Sequence, residues 1–120
     1  MKKITTNKIT PEKVSKYFDV TGRAIKKVKI VSKMPADFCA DKSADKDKCF
    51  DSRKWKLAAE DFLNMAKCYY EDAKHFEKKG DVVNAFACLN YAHGWLDAGA
   101  RLGLFDVDGD NVLFTVDEKK

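Results

Sequence analysis

Between Trp55 and Gly103, large and small apolar residues alternate in a regular order. Trp55, Phe62, Tyr69 and Phe76 recur at every seventh position, and Ala59, Ala66 and Ala73 stand four residues after the first three. Steps of three and four put these residues on one helical stripe. Lys79-Gly80-Asp81 interrupts it, and then Ala85, Leu89, Ala92, Leu96, Gly99 and Gly103 repeat the same steps. Two such stripes joined by Gly-Asp predict antiparallel helices over 53–79 and 81–103, with rings of one lying over small residues of the other. Cys88, Trp95 and Leu102 form a second seven-residue series on the later helix. A helix apolar on two sides is expected to be central, with a further helix packed across it.

That further helix is predicted over 10–33. Thr10 is a good N-cap, Pro11 suits the first helical position, and Glu12 meets the positive end of the dipole. Val14, Phe18, Thr21, Ile25, Val28 and Val31 form its buried stripe, and Pro35 sets the latest end. Residues 1–9 read as an arm. Residues 34–52, with alternating Asp and Lys, cannot bury a face and read as a solvated loop. The tail, 104–117, changes period: Leu104–Val107, Asp108–Asn111 and Val112–Val116 read as strand, turn and strand. The expected fold is all-α: one domain, a three-helix bundle built on a long antiparallel helical hairpin, with a short C-terminal β-hairpin.

Composition narrows the chemistry. With 120 residues, 45% hydrophobic and 35% charged, the chain can build a core without covalent staples. Its net charge of +4 is mild, and lysine supplies most of the cations, so sequence-specific nucleic-acid reading is not indicated. There is no apolar run of about 18 residues and no signal-like N-terminus, which leads to the expectation of a cytoplasmic protein without a membrane span. Cys39, Cys49, Cys68 and Cys88 form no paired motif and are expected as free thiols, with a Cys39–Cys49 disulfide as the alternative.

No catalytic or metal constellation stands out, and no cofactor or small-molecule substrate is expected. Asp106, Asp108, Asp110 and Asp117 approximate a calcium loop, but Asn111 stands where glycine belongs, so a turn is the better reading. Cys68, His75, Cys88 and His93 lack the close pairs of a zinc centre. Glycine-rich phosphate loops and nucleophile elbows are missing. The architecture resembles helical ribonucleases of the HEPN class, but those need an arginine followed by a histidine, and here His93 precedes Arg101. An enzyme is not expected.

One polar stripe invites a function. Asn90, Gly94, Asp97 and Arg101 fall on one face of the last helix, flanked by Tyr91 and Trp95. Asp97 and Arg101 are placed for an i,i+4 pair. A glycine in an exposed helix interior costs about 1 kcal/mol relative to alanine. Gly94 therefore suggests close approach by another backbone, either the first helix or a second subunit. The leading expectation is a protein partner or self-association through Asn90, Tyr91, Gly94, Trp95, Asp97 and Arg101. The alternative is RNA, including ribosomal RNA, on a basic face of Lys13, Lys16, Arg23, Lys26 and Lys27, where phosphate contact needs no sequence reading.

Tyr69-Tyr70-Glu71-Asp72-Ala73, Lys79-Gly80-Asp81, Ala85-Phe86-Ala87 and the run Tyr91-Ala92-His93-Gly94-Trp95-Leu96-Asp97-Ala98-Gly99 through Leu104 resemble an archaeal family, domain of unknown function 357. The resemblance runs from about Thr10 to Leu104. It implies an archaeal, cytoplasmic helical bundle and no activity. Asp72, Gly80, Asp81, Gly94, Trp95, Asp97 and Arg101 are the positions it singles out, none of them catalytic.

Overall fold

The computed structural model describes residues 8–35 and 51–114. Most of the arm, most of the Asp/Lys-rich loop with Cys39 and Cys49, and the end of the tail with Asp117 lie outside the described residues. Three helices, α1 (Pro11–Lys27), α2 (Ser52–Lys78) and α3 (Val82–Leu102), account for most of them. Two short strands, β1 (Lys29–Ile30) and β2 (Phe105–Asp106), form an antiparallel ladder. No helix among the described residues is long and apolar enough to cross a membrane.

Side chains start all three helices. Thr10 Oγ1 accepts from the Lys13 amide at 3.1 Å, Asp51 Oδ1 from Lys54 at 3.0 Å, and Asp81 Oδ1 from Asn84 at 3.1 Å. Each satisfies an amide that the first helical turn leaves without a partner. Between α2 and α3, Gly80 takes the left-handed conformation at φ 77° and the Asp81 amide donates back to the Phe76 carbonyl at 2.9 Å. The chain thereby reverses in three residues, Lys79-Gly80-Asp81. The structural roles of Gly80 and Asp81 lie here.

These caps also set an acid sensitivity. A hydrogen bond from the Lys54 amide holds the Asp51 carboxyl below its ordinary range, and the Asn84 side chain and amide do the same for Asp81. Asp110 is lowered chiefly by the Leu113 amide. A folded-state pKa below the unfolded value gives stability that is present above the unfolded pKa, roughly 4, and is lost as pH falls through the folded one. Thermal midpoints should therefore fall on acidification below about pH 4. An Asp51→Asn, Asp81→Asn, Asp110→Asn triple variant should show a shallower acid limb than the parent, and equal slopes would contradict this account.

The hairpin seam is made of small residues. Ala59, Ala66 and Ala73 of α2 and Ala85, Leu89, Ala92 and Leu96 of α3 are fully buried. The aromatic series behaves differently from the expectation of rings over small residues. Trp55 is buried beside Gly103, but Phe62 and Tyr69 are half-buried and pair with Trp95 and Tyr91. Along α2 the rings pass from the core at Trp55 to the edge of the hairpin, while the alanines stay on the seam.

Helix α1 is shorter than the predicted 10–33. It ends at Lys27, and Val28 already has extended angles (φ −65°, ψ 139°). Val28–Val31 is rich in β-branched residues, and as an extended segment it pairs with the tail: Lys29 opposite Asp106, Ile30 opposite Phe105. The Val31 amide donates to the Leu104 carbonyl at 2.9 Å. An antiparallel two-stranded element thus exists, and its tail strand lies in the expected place. Its partner, however, is the segment after α1 rather than residues 112–116. Gly103, at φ 95°, turns the chain back so that Leu104 and Phe105 enter the core, which directs the ladder edge towards β1. Beyond it, the Asp108 amide donates to Asp106 Oδ1 and the Val112 and Leu113 amides donate to Asp110 Oδ1. These carboxylates build turns, which answers the calcium-loop reading for the described part.

Two glycines admit rings. Phe105 lies over Gly99 so closely that a Cβ there would stand 2.3 Å from its ring. Above Gly22 sits the Tyr70 hydroxyl, which donates to the Phe18 carbonyl at 3.2 Å. The glycine that weakens α1 thus seats α1 against α2.

Candidate interaction face on α3

Around α3 the structure separates two outer surfaces. On the α2 side lies an open groove of about 710 Å³ lined by Phe62, Tyr69, Ala87, Asn90, Tyr91, Gly94, Trp95 and Ala98. Its floor is a ladder of rings joining the two helices. Phe62 meets Trp95 edge to face at 4.9 Å, and Tyr69 stacks on Tyr91 at 5.3 Å. None of its lining side chains is ionised at neutral pH. Tyr91 is 63% exposed and Leu102, further along the same side, 49%.

Of the series Cys88, Trp95 and Leu102, Trp95 lines this groove while Cys88 packs on the cluster of Val14, Ala73 and Leu89, and no residue of α1 enters the groove lining, which corrects the expectation that α1 lies across that side. Instead α1 packs on the other flank, where Tyr17 meets Phe86 at 4.8 Å and Phe18 meets Tyr70 at 5.6 Å. Physically, α1 follows the side on which Leu89 and Ala73 offer a seat for Val14.

On the α1 side lies a smaller cleft of about 440 Å³, lined by Lys16, Tyr17, Val20, Thr21, Asn90, His93, Gly94 and Asp97. Its organiser is His93, which the sequence did not single out as a junction. Nε2 lies 2.7 Å from the Leu113 carbonyl and 3.8 Å from Asp97 Oδ1, and Nδ1 lies 3.4 Å from Thr21 Oγ1. A carbonyl can only accept, so Nε2 carries the proton and Nδ1 receives the Thr21 hydroxyl. His93 thereby links α1, α3 and the tail, with Phe114 stacked beside it at 6.3 Å.

Asn90 and Gly94 stand on the ridge between groove and cleft and line both. Nothing lies within 4 Å of where a Gly94 Cβ would be. The close approach expected there is thus not made by α1. Asp97 turns into the cleft, while Arg101 is exposed near the end of α3. Asp72 is exposed on α2 near Cys88, whose thiol is pushed up by burial and then by the Asp72 carboxylate.

The basic face is partly engaged within the chain. Lys13 stands 5.5 Å from the Phe86 ring centre, Arg23 lies 3.5 Å from Asp19, and Lys16 borders the cleft. Arg23 and Lys27 both draw on Asp110, and Lys26 and Lys27 are exposed at the end of α1. Among the described residues no group of three or more His, Cys, Asp or Glu side chains is placed to hold a metal. Cys68 and His75 are exposed, apart from the His93 junction.

A small-residue helical hairpin with an aromatic outer groove defines the class of protein structurally. The family model for a protein of unknown function, DUF357, matches residues 40–105, and the chain belongs to that family. No curated protein and no solved structure matches it.

Proposed function

We propose that this chain is a non-enzymatic helical interaction module and that the groove between α2 and α3 is the surface it offers to a protein partner. One observation carries this reading: an uncharged, aromatic groove remains open beside an uncovered glycine on a chain that is 35% charged. Apolar patches of this kind, centred on tyrosine and tryptophan, are where binding energy concentrates. RNA on the α1 lysine face is the weaker reading, because Lys13 and Arg23 are already directed at groups of the same chain.

The test is site-specific photocrosslinking in the native cell. A benzoylphenylalanine at position 91, in the groove, should yield discrete protein adducts, and one at exposed Glu71 should not. Equal labelling from the two positions, or none from position 91, would overturn the proposal.

A further inference from the structure

The cleft between α1 and α3 has the size and the lining of a small-molecule site. Its volume of about 440 Å³ lies within the range of ligand pockets, and polar groups enter it from both helices. Its floor is fixed. The Thr21 hydroxyl and the Leu113 carbonyl hold the His93 ring, and Tyr17, on the α1 wall, packs on Phe86. Groups already held in place need no reordering when a ligand arrives.

The charges of this lining stand at its two ends. Among the described residues, Lys16 is its one ammonium and Asp97 its one carboxylate. Tyr17 meets Phe86 and Thr21 meets His93, so α1 runs beside α3 in the same direction. Lys16, next to Tyr17, therefore belongs to the end marked by Asn90, and Asp97 follows Asn90 by two helical turns. Two turns are about 10 Å. Lys16 and Asn90 are exposed and can both donate to an anion. At the other end, a carboxylate has several acceptor positions, so the 3.8 Å approach of His93 to Asp97 leaves room for a further donor.

Between these ends the α3 wall is bare. Nothing lies within 4 Å of where a Gly94 Cβ would stand, so a ligand can come up to the helix backbone there. Val20 lines the α1 side with methyl groups. Such a lining complements an elongated zwitterion with a narrow, uncharged middle. An extended peptide of about three residues spans roughly 10 Å and carries one charge of each sign at its termini.

We propose that the α1–α3 cleft binds a short peptide with free termini, about three residues long, its carboxylate at Lys16 and its ammonium at Asp97. The α2–α3 groove is not needed for this, so the two proposals stand or fall separately.

NMR titration of the full chain with trialanine tests it. The amide signals of Thr21 and His93 should shift, and those of Phe62 and Tyr69 in the groove should not. N-acetyl-trialanine, which lacks the ammonium, and trialanine amide, which lacks the carboxylate, should each bind about tenfold more weakly. Asp97→Asn should weaken trialanine by about tenfold yet leave the acetylated peptide unaffected, because the two changes remove one interaction. Lys16→Met should behave in the same way towards the amide. The capped peptides probe both charges without altering the protein, so the result does not depend on the variants folding. Silence at Thr21 and His93 with millimolar trialanine, shifts confined to the groove, or capped peptides that bind as well as the free one would overturn the proposal.

Discussion

Gly99→Ala should destabilise the fold by about 2 kcal/mol, although the same change in an ordinary helix interior is stabilising. Alanine would contribute about 1 kcal/mol of helix propensity. Against that, its Cβ would stand 2.3 Å from Phe105 Cε2 and 2.6 Å from Cδ2. The ring has nowhere to retreat. Phe105 is 3% exposed and its backbone is paired with Ile30. Crowding of a filled core costs about 1–3 kcal/mol or more, which exceeds the propensity gain. Denaturant unfolding of parent and variant gives the number. Phe105→Leu should cost less in the Gly99→Ala background than alone, because the two changes share one contact. A Gly99→Ala variant more stable than the parent would refute the packing described here.

Trp55→Ala should be the most damaging single truncation, at about 4 kcal/mol. Trp55 is the largest fully buried side chain. Its ring lies by Gly103, where α3 ends, and belongs to the cluster that contains Leu96, Leu104, Phe105 and Phe114. Its removal opens a cavity at the point where α2, the end of α3 and the tail converge. The urea midpoint reads the loss. Truncation of Tyr91, which is mostly exposed, should leave that midpoint nearly unchanged and act on association instead. A cost below about 1 kcal/mol at Trp55 would contradict the core assignment.

The contrast between Trp55 and Tyr91 shows how far the chain could be read in one dimension. Trp55 opens an aromatic series at helical spacing and Tyr91 flanks the polar stripe of α3, and neither pattern says which ring is buried. Only the packed hairpin separates them, with Trp55 in the core and Tyr91 63% exposed at the groove. The candidate face was legible in the same partial way. Gly94 stood out because a glycine in a helix interior needs a reason. That α1 leaves it open, and that Asp97 turns towards His93 in the polar cleft, follows from which flank of α3 receives α1.

The starts of the three helices, their caps and the turn at Lys79-Gly80-Asp81 were written locally, in residues within five positions of one another, so the sequence by itself determined them. The β1–β2 ladder and the His93 junction were not. Ile30 finds its partner at Phe105, and His93 joins Thr21, 72 positions away, to Leu113, 20 positions on. Val28 and Val31 fit a helical stripe as well as a strand, and no local rule could rank the two. The fold of the tail decided between them, since Leu104 and Phe105 can enter the core only if the chain leaves α1 and pairs with them. Tertiary structure settled these points because their stabilisation comes from contacts made only after the helices have packed.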